Sequence, residues 1–369
     1  MKRKWNSIKN SAGFFGVFFA VWSVFSQPVD SVRISPWRYG KPGAVSVSFD
    51  DGDELQYSLA APLMEKYGIR GTFGIVGEWT FDRPEYTAEE GMFAIRRMSR
   101  EQIKNLSARN HEIAAHGYRH RPYPRHAPSE KIAGEMHRIK NFLKQITGKP
   151  VFTLHYPYSL ATDSIRKAAS LAGFLFARTA NSEKNFNTYE NFDPYRLASI
   201  PILNDTVPSL REFESTLRSA RGKWLIWMYH HIFPPGSKEM KIMQYHRVRH
   251  TYSLFPQTFE RHMQRIARSG YWTAPEAEVG KYMTERMNTR IEISKGFCRQ
   301  KIKLLTGLDP RTYDMPLTLE IFSKRKKLKI KQNGKTKIIS NPEGKIMLEM
   351  MPGEEIIIKK RRFPCGCLP

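Results

Sequence analysis

The sequence predicts an α/β fold built on a parallel sheet, followed by a small β module. From residue 44 to about residue 287, short apolar runs alternate with longer helix-periodic ones, as in repeated strand–helix units. After about residue 290 the period shortens to alternating apolar and polar residues, broken by Asn333-Gly334 and Pro352-Gly353. Polar, chemically useful side chains follow several of the parallel strands, at the edge where such sheets place their sites.

The elements follow in order. Ala44–Asp50 reads as a buried strand, Leu55–Tyr67 as a helix and Gly71–Val76 as the next strand. Ser99-Arg100-Glu101-Gln102 is a capping box that opens a helix running to about Ala108. Glu112–Ala115 is a short strand. Ser129–Thr147 is a helix stopped by Gly148 and Pro150. Phe152–Leu154, Phe174–Ala177, Trp224–Tyr229 and Tyr271–Thr273 are further strands. The helices Asp163–Ala172, Leu210–Ala220, Pro256–Ser269 and Pro275–Met287 are interleaved with them. This pattern alone leaves open a doubly wound sheet or a closed barrel. In the last segment, Leu328 to Ile339 is strand, Asn-Gly turn, strand, a strong hairpin signal. Ile346–Met350 and Ile356–Lys359, around Pro352-Gly353, suggest a second hairpin and hence part of a sandwich.

The N-terminus stands apart. Lys2, Arg3, Lys4 and Lys9 precede Ala12–Phe25, an almost wholly apolar run without charge, and Val24-Phe25-Ser26 precedes a cut at Gln27. This is the pattern of a secretory signal peptide over residues 1–26. An uncleaved anchor is the alternative, and the run is short for a membrane span. Export would place the protein in a periplasm, at a cell surface or outside the cell.

The chain carries a formal charge of +25, and +21 remains once residues 1–26 are removed. Residues 291–369 contribute +10 of this, from 18 Lys/Arg against 8 Asp/Glu. An exported basic protein without a nucleic-acid motif is expected to meet an anionic glycan, a cell wall or a membrane surface, and no nucleic acid. Cys298, Cys365 and Cys367 are the three cysteines, so residues 27–297 cannot contain a disulfide among themselves.

Ser48-Phe49-Asp50-Asp51-Gly52 closes the first strand with two adjacent carboxylates and a glycine for the exit. One carboxylate can hold a divalent cation while the other handles a proton. His116 and His120 follow the strand Glu112–Ala115 at a spacing that shares one face of a helical turn. With a carboxylate of the Asp50-Asp51 pair they offer a His, His, Asp ligand set that suits Zn2+ best and that other first-row divalent ions also accept. His155-Tyr156-Pro157-Tyr158 and Met228-Tyr229-His230-His231 end two more strands. His111, at the far end of its strand, is expected at the surface.

Together, Ser-Phe-Asp-Asp-Gly, His-Gly-Tyr-Arg-His, Tyr-Pro-Tyr and Met-Tyr-His, in this order, resemble the polysaccharide deacetylase family, carbohydrate esterase family four. The segment Ala61 to Phe73 is similar to that family's stretch after its first motif, and the resemblance covers about residues 40–287. It implies a distorted (β/α)7 barrel. With the N-terminal pattern and the change of period near residue 290, the chain divides into a signal peptide (1–26), a deacetylase catalytic domain (27–290) and a basic β-rich module (291–369). The resemblance also implies a role for each matching residue. Asp50 would be the general base, and Asp51, His116 and His120 the metal ligands. The backbone N–H of Tyr158 would help form the oxyanion hole, and His230 would be the general acid, with His231 its rival.

The chain departs from the family in two linked places. The family's Arg, two residues before the Pro of its third motif, is replaced by His155. The Asp-rich, Trp-containing fourth motif is replaced by Arg178-Thr179-Ala180-Asn181. Arg178 and His155 are therefore the candidate supports for Asp50. The expected function is an exported metal-dependent hydrolase removing N-acetyl or O-acetyl groups from an acetylated polysaccharide. The alternative is a weakly active or non-catalytic glycan-binding protein that keeps the fold.

Overall fold

The computed structural model describes residues 28–82, 95–180, 186–245, 252–296 and 299–359. The segment read as a signal peptide, Asn181 and all three cysteines lie outside the described residues. Among the described residues no helix is long and apolar enough to cross a membrane.

The strands of the first part are β1 (Ser31–Ile34), β2 (Ala44–Phe49), β3 (Thr72–Ile75), β4 (Glu112–Ala115), β5 (Thr153–His155), β6 (Phe176–Thr179), β7 (Leu197–Ala198), β8 (Ile200–Pro201), β9 (Trp224–Tyr229), β10 (His231–Ile232), β11 (Ser253–Leu254) and β12 (Trp272–Thr273). Eight of them form a parallel path, β7-β6-β5-β4-β3-β2-β9-β8. Its two ends are consecutive in the chain, separated only by Ser199. Leu197-Ala198 pairs with β6, and Ile200-Pro201 pairs with β9. One extended segment thus closes the ring, giving a seven-staved barrel distorted where β4 and β5 meet only at Ala115 and Leu154. The closed form of the two that the pattern allowed is the one present. The closing stave is too short to read as a strand from periodicity, and Ser199 and Pro201 interrupt it.

Burial explains the compositions. All of Ala44–Phe49 and Trp224–Tyr229 are buried, as expected for central parallel strands covered on both faces. Their registry runs from Ala44 opposite Trp224 to Phe49 opposite Tyr229. The helix Arg100–Ala108 begins with the expected capping box, in which the Ser99 hydroxyl accepts from Gln102 N and Gln102 returns a bond to Ser99 N. Such a cap stabilises a helix start by about 1 kcal/mol.

The last barrel helix, Glu276–Met287, is buried on nearly every side. Its first N–H groups have no partner within the helix, and strand residues supply them. Glu276 N donates to Thr72 Oγ1 at 2.9 Å and Ala277 N to Glu112 Oε2 at 2.9 Å. Glu112 is itself fixed by the hydroxyls of Thr72 and Thr153. The helix start is thereby pinned among β3, β4 and β5.

The remaining strands are β13 (Thr289–Lys295), β14 (Arg299–Thr306), β15 (Leu317–Phe322), β16 (Lys327–Gln332), β17 (Lys335–Ser340), β18 (Lys345–Met350) and β19 (Glu355–Lys359). They form an antiparallel sheet β13-β14-β19-β16-β17 and, with β1, a second sheet β1-β15-β18. Ile302, Leu304, Leu319, Ile321, Leu328, Ile330, Ile346, Ile356 and Ile358 share one apolar cluster between them, which continues into Trp37, Trp224 and Trp272. The β16–β17 hairpin turns at Asn333 and Gly334, both at positive φ, as its Asn-Gly signal requires.

Three expectations are corrected. β18 and β19 do not form a hairpin with each other. β18 pairs with β15, and β19 lies between β14 and β16. The reason is tertiary: alternate residues of each strand are buried, and each sheet of the sandwich receives one. His111 is buried, not at the surface. It accepts from Gly71 N at 3.0 Å and meets Glu65 Oε1 at 3.0 Å, with its ring edge-on to Phe73. His116 and His120 do not lie on a helical turn. They share a loop bent by Gly117 at φ 78° and by His120 itself at φ 50°.

Candidate active site

The C-terminal ends of β2, β4, β5, β6 and β9 carry the predicted residues to one mouth of the barrel. Phe49 ends β2, and the chain then turns sharply, with Asp51 at φ 76° and Gly52 at φ 70°. The left-handed backbone at Asp51 is costly for a residue with a Cβ and persists only where the surroundings hold it. Arg97 supplies part of the hold: Nη1 donates to the Asp51 carbonyl at 3.1 Å and pairs with the Asp53 carboxylate.

Asp51, His116 and His120 form a group in which one ligand atom of each lies within 4.8 Å of the others. Asp51 Oδ1 is 3.4 Å from both His116 Nε2 and His120 Nε2, and the two nitrogens are 3.1 Å apart. His116 Nδ1 is 3.0 Å from the carbonyl of His155. A carbonyl only accepts, so Nδ1 carries the hydrogen and Nε2 is the ring nitrogen turned toward Asp51 and His120. Burial pushes His120 down to about 4. Burial works against ionisation of Asp51 as well, yet His116, His120, His230 and Arg97 outweigh it and hold the carboxyl well below the usual range. Asp51 Oδ1 is buried and accepts no hydrogen bond. Two imidazoles and one carboxylate with an orphaned buried oxygen fit a divalent cation.

Asp50 faces the same space in a different setting. Its Oδ1 accepts from His155 Nδ1 at 2.6 Å and from Arg178 Nη2. Its Oδ2 lies 4.0 Å from His116 Nε2 and 4.0 Å from His230 Nε2. One oxygen is anchored, and the other looks between the imidazoles of the cation site and His230. His155 and Arg178 are register partners on adjacent strands, so both reach the same face. Behind them stands Glu276. His155 Nε2 meets its Oε2 at 3.2 Å, and Arg178 Nε lies 3.3 Å from its Oε1. Both sequence-predicted supports therefore sit on Asp50, and a third group, unpredicted, sits on both of them.

Charge in this buried cluster is balanced. Burial disfavours ionised Asp50, but Arg178, His116 and His155 prevail and hold it well below the carboxylate range. Burial also disfavours ionised Glu276, and His155 and Arg178 reverse this. For His155, burial and Arg178 press downward, and Glu276 with Asp50 raise it above the ordinary histidine value. The state is two carboxylates against one guanidinium and one imidazolium. Gly74 makes room for it: a Cβ there would lie 2.5 Å from His155 Nδ1 and 3.1 Å from Asp50 Oδ1.

The two adjacent histidines after β9 are separated by the structure. His230 Nε2 faces Asp50 Oδ2, its Nδ1 is buried without a hydrogen bond, and burial lowers its pKa. His231 is buried on the other side and pairs with Asp53. Tyr158 lies in a one-turn 3-10 segment at φ 56°, with its exposed ring 4.9 Å from His120. Gln56 is another residue that sequence reasoning missed. Its buried Nε2 donates to the Asp50 carbonyl at 2.6 Å and the His230 carbonyl at 2.8 Å, locking the two strand ends together. It opens a π-helical turn, Gln56–Ala60, a distortion often found beside functional sites.

Barrel and mouth together define a hydrolase acting on carbon–nitrogen bonds other than peptide bonds, or on esters. Residues 38–177 match the family described as polysaccharide deacetylase. No curated protein is similar enough in sequence to count as a relative. Among solved structures, a protein described as a polysaccharide deacetylase from Mycobacterium smegmatis is 15% identical, with a TM-score of 0.47 over 73% of this chain and 99% of its own. The Xyl-CE4 domain of a multidomain xylanase from the hindgut metagenome of Trinervitermes trinervoides is 14% identical, with a TM-score of 0.41 over 64% and 89%. A family 4 acetyl xylan esterase from Clostridium thermocellum, in complex with a cobalt ion, is 14% identical, with a TM-score of 0.39 over 66% and 91%.

Proposed function

We propose that residues 27–290 form an exported, metal-dependent deacetylase that hydrolyses N-acetyl or O-acetyl groups of a polysaccharide. The observation that carries this is Asp50 Oδ2, held 4.0 Å from His230 Nε2 and beside the Asp51, His116, His120 group. A carboxylate kept ionised, a cation site and an imidazole converge on one small space.

A divalent cation held by Asp51, His116 and His120, with Zn2+ the best match to this donor set, would polarise the acetyl carbonyl and acidify a water. Asp50 is the general base. Its anchored Oδ1 fixes the plane of the carboxylate, so Oδ2 meets the attacking water's proton without reorganising. The Tyr158 backbone N–H would help form the oxyanion hole, as the family resemblance implies. His230 delivers a proton to the leaving amine or alkoxide, and its position opposite Oδ2 gives that proton a short route from Asp50. His231 is committed to Asp53 and takes no part. Arg178 and His155 replace the Arg and Asp of the family's third and fourth motifs as supports of the base. The basic charge and the N-terminal segment support action at a cell wall or another glycan-bearing surface outside the cytoplasm.

The test is acetate release from acetylated xylan, chitin oligomers and acetylated β-glucosamine polymers by the chain from residue 27 onward, with metal content measured in parallel. The expected result is release that stops with chelator, returns with added Zn2+, and is abolished by Asp50→Asn. Metal-free protein releasing no acetate from any of these glycans would sink the proposal.

A further inference from the structure

The C-terminal sandwich has one face that its core does not explain. In the sheet β13-β14-β19-β16-β17, Ile302, Ile330, Ile356 and Ile358 point into the sandwich, so the residues alternating with them point outward. Register places Lys329 opposite Lys359, and Lys359 opposite Arg299. These lie on β16, β19 and β14, the three inner strands, and all three are exposed. Like charges directly opposite one another destabilise a sheet. Here three of them form one row across the inner strands, where β14 begins and β19 ends, and among the described residues none of the three has an ion-pair partner. The adjacent row reads Thr336, Lys331, Ile357 and Lys301, ending at Ser294. Lys301 alone is neutralised, by Glu355 at 3.0 Å.

We infer that this outer face is a docking surface for an anionic polysaccharide, a glycan chain bearing carboxylate or phosphate groups. The inference rests on the proposed polysaccharide reading for its choice of polymer. Three observations favour a glycan over an anionic bilayer. In these two rows the inner strands present five cations, Arg299, Lys301, Lys329, Lys331 and Lys359, against one half-buried apolar residue, Ile357, whereas a bilayer-docking surface puts apolar side chains at the point of contact. The exposed apolar residue Ile338 lies on the edge strand β17. Hydroxyls of Thr336 and Ser294 and the aliphatic Ile357 are interspersed with the cations, matching the charged, hydroxylated and C–H surfaces that one sugar chain presents. The sandwich core is continuous with Ala44, Trp224 and Trp272, at the N-terminal ends of their strands, opposite the Asp50 end. Polymer held here leaves the mouth open.

The experiment uses the full chain and its Lys329→Gln/Lys331→Gln/Lys359→Gln variant. Binding to immobilised polygalacturonate, to neutral dextran, and to vesicles of phosphatidylglycerol or phosphatidylcholine is measured at rising salt. Acetate release from a neutral acetylated oligosaccharide is followed separately. We expect salt-sensitive binding to polygalacturonate and none to dextran. The variant should bind on the order of 10²-fold more weakly, since each surface cation contributes a comparable share near a polyanion. Acetate release should be unchanged. Because the variant relieves a like-charge row, its melting temperature should hold or rise, which a merely structural role for these lysines would not give. Three results would each overturn the inference: no binding to polygalacturonate, equal binding by the variant, or capture by phosphatidylglycerol vesicles that polygalacturonate does not compete. Failure of deacetylation with binding intact would count against the catalytic reading instead.

Discussion

Asp50 and Asp51 are neighbours in sequence, yet different buried ion networks stand behind them. Asp50 is held through its side chain. His155 and Arg178 occupy Oδ1, Glu276 occupies both of them, and the four charges cancel. Asp51 is held through its backbone. Arg97 grips its carbonyl, Asp53 grips Arg97 and His231, and Asp51 Oδ1 is left without a hydrogen bond. A base works when its orientation and charge are fixed in advance, and a ligand works when a lone pair is left bare. Each network leaves its aspartate suited to one of these tasks.

The largest expected effect separates the two carboxylates. Asp50→Asn removes the proposed base and should lower kcat by about 10²–10⁴-fold, the usual share of general acid–base catalysis. Bound metal should stay at the wild-type level. Asp51→Asn should lose the metal itself. Metal analysis beside acetate release checks both, and equal metal loss in the two variants would erase the proposed division of labour.

Next is Arg178→Ala. It removes the cation that most strongly opposes the burial of Asp50's charge. A base displaced or reoriented by this loss should cost about 10²-fold in kcat/KM. With Arg178 gone the Asp50 pKa rises, so the acidic limb of kcat/KM should move to higher pH. An unmoved limb, with the rate unchanged, would mean that Arg178 is only a structural ion.

The legibility of these networks in the sequence was uneven. Asp50, Asp51, His116, His120, His155, Arg178 and His230 could be found because each ends or follows a strand, and the barrel gathers strand ends. Arg178 shows the limit of boundary reading. The strand expected to stop at Ala177 runs on to Thr179, which places Arg178 inside it and opposite His155. Glu276 carried no such signal. An acid in the first turn of a helix after proline reads as ordinary capping, and only the pinning of that helix start among β3, β4 and β5 delivers it to His155. Asp53 stood in plain view two residues past Asp51, but nothing in the spacing joins it to Arg97 or His231. The fold was legible as alternation. Its closure was not, because two short strands around Ser199 do the closing.

Glu276→Gln tests the unpredicted member and should cost roughly tenfold in kcat/KM, an increment of about 1.4 kcal/mol. Its clearer signature is in stability. His155 has a raised folded pKa, so its contribution is fully present below its unfolded value near 6.5 and fades as pH rises through the folded value. Without the Glu276 carboxylate the folded pKa drops back. The stability gap between wild type and Glu276→Gln should therefore be widest below about pH 6.5 and narrow above it. Denaturant melts across pH measure this directly, and a gap that widened with pH would contradict a protonated His155.

The smallest effect on turnover belongs to Asp53→Asn, and it probes the other network. Removing one partner of a buried ion pair typically costs about 3–5 kcal/mol of stability. Here Arg97 and Asp53 are both essentially fully buried, so a loss of that size is expected in the denaturant midpoint. The variant removes no group from the reacting space: Asp50, its supports and His230 stay where they are. Each folded, metal-loaded molecule should turn over within a few-fold of wild type, while metal affinity falls as the Asp51 backbone loosens. Single-turnover rates at saturating Zn2+, set beside the metal titration, separate the two consequences. A rate loss as large as that of Arg178→Ala at full metal loading would show that the two networks act as one.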